Sequence, residues 1–354
     1  MSQWPDTRIL DLLGIDLPIF QAPMAGATTA AMVIAASNAG GLGSMPAAML
    51  SVEQLRDELK GIRQQCQRPI NVNFFCHQPP AVDEQRAQDW KNLLQPYYRE
   101  LGVDFDAPTP VSNRAPFDQA ACEVVEQLRP EVVSFHFGLP EQSVLDRVKA
   151  TGAKVLSSAT TVEEAIWLEQ QGCDAIIAMG LEAGGHRGMF LSDDLSSQVG
   201  TFALVPQVVD AVKVPVIAAG GIADGRGVAA AFMLGASAVQ VGTAYLFTPE
   251  AKVSAAHHQA LRTARESETA VTNIFTGRPA RGILNRVMRE LGPMSDQAPR
   301  FPLAGGALLP LRAKGEADFS NLWAGQAFTL GVESGTAELT RRLAEEGLAK
   351  LLQR

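Results

Sequence analysis

The chain has 354 residues, of which 46% are hydrophobic and 6% aromatic, and it carries a formal net charge of −8. A chain of this length and composition can bury a large core, which excludes an intrinsically disordered protein. The acidic balance has no basic run to offset it, so it argues against nucleic-acid and anionic-lipid surfaces as partners and favours small molecules.

The first residues, 1–8, lack a positively charged region followed by an apolar one, and no stretch approaches the ~20 apolar residues of a membrane helix. We therefore expect a cytoplasmic protein without membrane contact. The four cysteines are widely spaced and form no Cys-x-x-Cys pair, so the sequence indicates neither a disulfide framework nor a zinc site. We expect buried, reduced thiols at Cys66, Cys76, Cys122 and Cys173.

Eight short apolar runs recur between helix-length amphipathic stretches. Apolar strands that alternate with helices are typical of a parallel sheet covered on both faces, and a count of eight favours a closed (β/α)8 TIM barrel over an open doubly wound sheet. Ser51 and Thr160 each stand three residues before a Gln or Glu, which is the capping-box spacing of a helix start. The predicted strands are 18–22, 40–43, 70–75, 132–135, 154–157, 175–178, 214–219 and 238–241.

Two regions exceed a minimal barrel. The stretch from Cys76 to about Phe117 contains six prolines and reads as an excursion between the third strand and its helix, which could overhang a site. Its adjacent Tyr97 and Tyr98 are more often packing residues than pocket walls. After the eighth strand, residues 247–319 carry helical patterns and a Pro/Gly-rich stretch. We therefore predict a barrel of residues 1–246 and 320–354, with the last helix packed on it, and a smaller helical cap of residues 247–319.

The strand at 175–178 runs, without a helix-length gap, into the loop Glu-Ala-Gly-Gly-His-Arg-Gly at 182–188. Glycines let a backbone approach a ligand and adopt positive φ, and His186 is the only nearby side chain that exchanges a proton near neutral pH. Because barrel enzymes work at the carboxyl ends of their strands, the loop indicates a reactive imidazole. The alternative is a glycine turn with a surface histidine.

Glycines also follow the last two predicted strands. Gly220 and Gly221 come after the seventh, and Gln240–Thr243 ends the eighth. Loops at these places form the standard phosphate site of a TIM barrel, where amides and a helix N-terminus point at the anion. The pair of glycines could form only a tight turn, but with Gln240–Thr243 beside it we predict a cofactor phosphate. The sequence contains neither a Rossmann fingerprint nor a Walker loop.

The other histidines carry weaker signals. His136, at the end of the fourth strand, is either a second polar group that contacts substrate or a histidine bonded to a neighbouring loop. His257 and His258 lie on a predicted helix among polar residues, and we expect both to be solvated. His77 is a candidate pocket wall. Around the loop, Glu182 and Arg187 either pair or anchor it, and two serines could donate to a cofactor, Ser157 and Ser158.

Five motifs follow one another along the chain: Gln21–Met24, Asn71–Asn73, Glu182–His186, Ala219–Gly227 and Gln240–Thr243. In this order they resemble the nitronate monooxygenases, formerly called 2-nitropropane dioxygenases, over about residues 10–245. Trp323–Gln326 is also similar to a family feature. The resemblance implies an FMN enzyme that oxidises alkyl nitronates with O2 to carbonyl compounds and nitrite, with a nitronate and O2 as partners and a homodimer left open.

Carried over by position, the resemblance implies that His186 is catalytic and faces the substrate. The backbone at Pro23 and Met24 would lie under the flavin ring, and Asn73 would hydrogen-bond the cofactor. Met179 stands where several relatives look to have a glutamine that bonds the flavin, so it offers only a weak thioether acceptor. The ribityl chain and phosphate would be held by Gly184, Gly220, Gly221, Gln240, Val241, Gly242 and Thr243.

Other functions stay open beside this one. The same loop and histidine are similar in FMN-dependent enoyl reductases, which use a reduced nicotinamide, and an NAD(P)H:quinone reductase is a related alternative. A barrel that binds a flavin or ligand without turnover belongs to another class. In the favoured reading a nitronate is already a carbanion equivalent, so His186 donates a hydrogen bond to it, or removes the α-proton of a neutral nitroalkane as general base.

Overall fold

The computed structural model describes residues 4–111 and 114–353 of the chain. The strands of this part are β1 Ile19–Gln21, β2 Gly43–Pro46, β3 Ile70–Phe75, β4 Val132–His136, β5 Lys154–Ala159, β6 Ala175–Met179, β7 Gly185–His186, β8 Val216–Ala219, β9 Ala238–Val241, β10 Thr269–Thr272 and β11 Ala280–Ile283.

Eight of these strands form one parallel sheet in the order β1-β9-β8-β6-β5-β4-β3-β2. The two ends of the sheet meet at Leu42, whose N–H donates to the carbonyl of Ile19 at 2.9 Å and whose carbonyl accepts from the N–H of Gln21 at 2.9 Å. These bonds close the sheet into a barrel. The predicted TIM barrel is therefore confirmed, and all eight barrel strands overlap or adjoin the apolar runs that predicted them.

Helices follow most strands and cover the barrel. Their bounds are α1 Arg8–Leu13, α2 Ala30–Asn38, α3 Val52–Gln65, α4 Glu84–Glu100, α5 Gln119–Leu128, α6 Gln142–Ala150, α7 Val162–Gln170, α8 Thr201–Ala211, α9 Gly225–Met233, α10 Ala255–Thr263, α11 Arg286–Leu291, α12 Leu309–Arg312, α13 Glu316–Phe319 and α14 Thr336–Leu352. None of the helices in the described ranges combines the length and the apolar content that crossing a bilayer requires.

Three local predictions were wrong by one element or a few residues. The second strand begins at Gly43, because Gly40 adopts φ of +100° and Gly41 donates to the carbonyl of Ala36, so these glycines end α2. The capping box at Ser51 is confirmed, but α7 is capped by Thr161, whose hydroxyl accepts from the N–H of Glu164. The segment after β9 was predicted to be helical, but it also contains the strands β10 and β11, which form a three-stranded sheet with β7.

The buried apolar side chains of the described residues form four clusters, of which two are large. The barrel core contains the strands and the inner faces of the surrounding helices, including α14, which packs on α9 so closely that a Cβ at Gly347 would lie 2.5 Å from Val228. A second core joins α4 of the excursion to residues 274–319, and Tyr97 and Tyr98 are buried in it. These tyrosines are packing residues. The division into a barrel and a cap at 247–319 stays a prediction.

Candidate active site

A cleft of about 360 Å³ opens at the carboxyl ends of the barrel strands, a volume typical of small-molecule sites. All predicted site residues line it except Val241, which lies in the barrel core and accepts a hydrogen bond from the N–H of Ala22. Strand alternation explains the exception, because Gln240 and Gly242 flank it. The predicted residues that line the cleft are Pro23, Met24, Asn73, His136, Met179, Gly184, His186, Gly220, Gly221, Gln240, Gly242 and Thr243.

The glycine loop after β6 is part of the small sheet and is not a free turn. Its residues Gly185 and His186 form β7, which pairs with Arg281 and Ala280 of β11. A Cβ at Gly184 would lie 2.5 Å from the backbone N of Gly325, so this glycine admits the segment around 325. A Cβ at Gly185 would meet no atom within 4 Å. The loop therefore packs on protein at Gly184 and faces open space at Gly185.

The His186 ring is held by Thr276 and surrounded by aromatic rings. Its Nε2 shares a 2.9 Å hydrogen bond with Oγ1 of Thr276, and the ring centroids of Phe301 and Trp323 lie 5.2 Å and 5.6 Å away. Burial, and next the positive charge of Arg114, hold the pKa of His186 well below its usual value. The imidazole is therefore neutral. Thr276 lies 90 residues further along the chain, and nothing in the sequence pattern marks it.

Both ring nitrogens of His136 are hydrogen-bonded to other residues of the protein. Its Nε2 lies 3.1 Å from the carbonyl of His186, which can only accept, so Nε2 donates and Nδ1 accepts from the hydroxyl of Ser158 at 2.5 Å. Burial lowers the pKa of His136 to about 3. Of its two predicted roles, the bond to a neighbouring loop is present, and the ring also lines the cleft.

His257 faces the cleft, so the prediction that it is solvated was wrong. Its Nε2 donates to the carbonyl of Trp323 at 3.1 Å, and burial lowers its pKa to about 4. Helix α10 packs one face against the segment around residue 323, and only one of two adjacent residues can share that face. The neighbouring His258 does not line the cleft.

The cleft is also lined by glycines whose backbone amides are left for a ligand. Gly220 and Gly221 adopt φ of +111° and +71°. Within the described ranges, the amides of Gly221, Gly242 and Thr243 donate to no protein acceptor. The amide oxygen Oε1 of Gln240 is buried without a partner in the same part of the chain. A ligand with acceptor and donor groups here would satisfy atoms that the protein leaves unpaired.

The N-terminus of α9, by contrast, is already closed. The carboxylate of Asp224 accepts from the N–H groups of Arg226 at 2.8 Å and Gly227 at 3.4 Å. The 3-10 helix Thr243–Phe247 begins without a side-chain cap. An anion would therefore meet the Gly221 loop and the start of this short helix, and not the helix that follows the seventh barrel strand.

The loop itself is anchored by Arg187, which is fully buried. Its guanidinium donates to the carbonyls of Met179 and Gly180, each at 2.8 Å, and to Oε1 of Gln198 at 2.9 Å. Glu182 instead accepts from the N–H of Thr201, so the two charged residues anchor separate segments and do not pair. These contacts fix the end of β6 and the thioether of Met179 at the cleft wall.

The remaining predicted polar groups divide between the site and the scaffold. Nδ2 of Asn73 donates to the hydroxyl of Ser134 at 2.9 Å. The side-chain oxygen Oδ1 of Asn73 is therefore the group left for a ligand. The hydroxyl of Ser157 lies 3.1 Å and 3.0 Å from the carbonyls of Phe135 and Gly138, and its role is structural. Ser158 lines the cleft beside His136. His77 is buried in the aromatic cluster and lies outside the cleft lining.

Three cations that the sequence reading did not single out also line the cleft: Arg114, Lys252 and Arg312. They come from the excursion, from the turn before α10 and from α12. The motif Trp323–Gln326 bonds two parts of the site. The N–H of Gln326 donates to the carbonyl of Glu182 in the glycine loop, and the N–H of Gly325 donates to the hydroxyl of Thr243 at the end of the eighth strand.

Comparison with known proteins gives a consistent result. The family model for nitronate monooxygenase matches residues 6–346. A nitronate monooxygenase of Pseudomonas aeruginosa is 42% identical over 347 residues, which are 96% of this chain and 98% of the relative. One of Paraburkholderia phytofirmans is 40% identical over 345 residues, which are 96% of this chain and 94% of the relative.

Solved structures agree at the level of the whole fold. A nitroalkane oxidase from Streptomyces ansochromogenes superposes with a TM-score of 0.88 at 37% identity, covering 97% of this chain and 98% of the other. FabK from Thermotoga maritima has a TM-score of 0.75 at 29% identity, covering 97% and 96%. With a family match across nearly its whole length and relatives near 40% identity, this chain belongs to the nitronate monooxygenase family.

Proposed function

We propose that the protein is a flavin-dependent monooxygenase that oxidises alkyl nitronates, and nitroalkanes after removal of their α-proton, with O2 to carbonyl compounds and nitrite. The observation that carries the proposal is a single cleft at the strand ends that combines the His186 imidazole, cationic side chains and a set of unpaired amides. Relatives named nitronate monooxygenase and a solved nitroalkane oxidase support it.

Family membership implies a flavin, and we propose FMN. The amides of Gly221, Gly242 and Thr243 would hold one phosphate, and Oε1 of Gln240 would accept from the cofactor. The side-chain oxygen Oδ1 of Asn73 would accept a hydrogen bond from the ring system. The sequence carries no dinucleotide fingerprint of the kind that accompanies a second phosphate. The bound flavin supplies the redox chemistry between substrate and O2.

The protein's own groups would orient the substrate and handle its charge. With Nε2 of His186 held by Thr276, Nδ1 is the nitrogen left for the substrate. Nδ1 would donate to a nitro oxygen when the nitronate arrives ionised, or accept the α-proton of a neutral nitroalkane. In the first role the proton of the neutral ring is on Nδ1, and in the second it is on Nε2. The Thr276 hydroxyl fits both tautomers because it can donate to Nε2 or accept from it.

Two measurements on the purified protein test the proposal. Mass spectrometry of the released cofactor identifies FMN or FAD, and FAD as the main species would contradict the single-phosphate site. Oxygen uptake and nitrite release with the nitronate of 2-nitropropane test the reaction. A protein that retains flavin but shows no turnover with nitronates would instead be a non-catalytic binding barrel.

The glycine loop and its histidine, which are similar in FMN-dependent enoyl reductases, favour a second candidate, a reductase that uses a reduced nicotinamide. Anaerobic addition of NADH or NADPH separates the two, since rapid bleaching of the flavin spectrum would support the reductase. The barrel–cap division at 247–319, a cytoplasmic location and a homodimer stay predictions, and limited proteolysis and sedimentation analysis would test the first and the last.

A further inference from the structure

The charge of the cleft is opposite to that of the protein. The chain carries a formal net charge of −8. Among the described residues that line the cleft, three are cations, Arg114, Lys252 and Arg312, and none is an aspartate or glutamate. Low-dielectric walls concentrate such a field inside a cleft, so a small anion is attracted there even though the surface as a whole repels it.

Two of these cations, Arg114 and Arg312, come from segments that are far apart in the chain. Arg114 lies in the excursion, where the next residues are tied down by hydrogen bonds from Ala115 N–H to the Ala48 carbonyl at 3.2 Å and from Phe117 N–H to the Phe75 carbonyl at 2.7 Å. Arg312 ends α12. Both side chains line the same cleft. After burial, the charge of Arg312 is the cause that lowers the pKa of Arg114.

The same field acts on His186. After burial, the positive charges that lower the pKa of His186 are those of Arg114, the larger cause, and Arg278, and no carboxylate acts in the opposite direction. Thr276, Phe301 and Trp323, which lie against its ring, carry no charge. A proton transferred to His186 would add a positive charge beside existing ones, whereas an anion bound here would compensate them.

From this arrangement we propose that Arg114 and Arg312 are specificity-determining residues. They bind the charge of a substrate that arrives as an anion and oppose the build-up of positive charge on His186, so the cleft selects nitronates over the neutral nitroalkanes from which they derive. The inference rests on the proposed function for its substrate, but the anion site exists independently of turnover.

The test uses the flavin-loaded enzyme and two separate readouts. Calorimetric titration with nitrate, a planar anion that resembles a nitro group, measures the anion site without chemistry. The ratio of kcat/KM for a nitronate to kcat/KM for its parent nitroalkane measures selection. The variants are Arg114→Gln, Arg114→Lys and Arg312→Gln, with Arg262→Gln as the control, since Arg262 is exposed, pairs with Glu333 and does not line the cleft.

We expect Arg114→Gln to weaken nitrate binding by about ten- to a hundredfold, the usual loss for a hydrogen bond to a charged group, and to lower the kcat/KM ratio by a similar factor. Arg114→Lys should keep most of both, and Arg262→Gln should change neither. Arg312→Gln, on an exposed residue, should act in the same direction and still tests the proposal if Arg114→Gln does not fold.

Unchanged nitrate affinity in the glutamine variants would overturn the proposal, and so would an equal loss of kcat/KM on both substrates. An unmodified enzyme that oxidises neither substrate would refute the proposed function instead, and the nitrate titration would then decide the anion site alone.

Discussion

His186 is held from two sides by groups that are far apart in the chain. Thr276, 90 residues further along the chain, bonds its Nε2, while His136, at the end of β4, donates to its main-chain carbonyl. Burial keeps the ring neutral, and the two contacts leave one ring nitrogen available. The side chain is thereby placed to donate to an anion or to accept a proton, and the two roles differ in what its removal should cost.

We predict that His186→Asn, which keeps a donor but cannot take a proton, reduces oxygen uptake with a neutral nitroalkane by about 10²- to 10⁴-fold, the usual effect of losing a general base. With the preformed nitronate the loss should be only about ten- to a hundredfold, because one hydrogen bond to an anion is weakened. Steady-state oxygen uptake with both forms of one nitroalkane measures the difference.

The control for that substitution is His258→Asn, at a histidine that does not line the cleft, and it should leave both rates unchanged. Equal losses on both substrates with His186→Asn would mean that the imidazole only positions the substrate. Full activity on both would remove His186 from the chemistry.

At the scale of elements, apolar runs located the barrel strands well where β-branched and large residues dominate, as in β3, β6 and β9. The run at 40–43 was misplaced because three of its four residues are glycines, which serve the turn after α2 as readily as a strand. The short pair β10 and β11 was missed, since their sequences, Thr-Ala-Val-Thr and Ala-Arg-Gly-Ile, lack the continuous apolar run that marks most of the barrel strands.

The site was predictable to the extent that barrel geometry gathers strand ends. Asn73, Met179, Gly220 and Gln240 are distant in sequence but lie in the carboxyl halves of parallel strands or directly after them, so one rule places them in one cleft. Arg114, Thr276, His257 and Arg312 follow no such rule. They come from the excursion and from residues 247–319, whose approach to the barrel depends on tertiary packing that local patterns do not encode.

The loop after β8 provides a test of the proposed phosphate cradle. A Cβ at Gly221 would make only an ordinary 3.5 Å contact with Glu182, so the need for glycine lies in its φ of +71°. Gly221→Ala strains this backbone and should turn the amide away from the phosphate. We expect lower flavin occupancy, measured by the visible absorbance per protein, in an enzyme that stays folded.

Gly102→Ala is the matched control, because Gly102 also has positive φ, of +62°, but is exposed and has no atom within 4 Å of its would-be Cβ. It should reproduce the strain without the loss of flavin. Full occupancy in Gly221→Ala would contradict the phosphate assignment.

At the scale of the whole molecule, the cleft is lined by apolar residues from several hydrophobic clusters, and its histidines are buried among them. Burial lowers the pKa of His136 to about 3, of His77 to about 4 and of His257 to about 4. In the unfolded chain these histidines titrate near ~6.5. Between these values the unfolded chain binds more protons than the folded one, so the free energy of unfolding must fall as the pH falls.

We therefore predict that stability is full above about pH 6.5, falls as the pH drops from there towards 4, and that His257→Gln flattens the fall. Glutamine keeps a donor for the Trp323 carbonyl but has no proton to gain. The variant should lose about 1–2 kcal/mol less than the unmodified protein between pH 7 and pH 5. Urea unfolding at the two pH values measures this, with Gln259→Ala, exposed on the same helix, as the control. Identical losses in both proteins would show that His257 is not held neutral by burial.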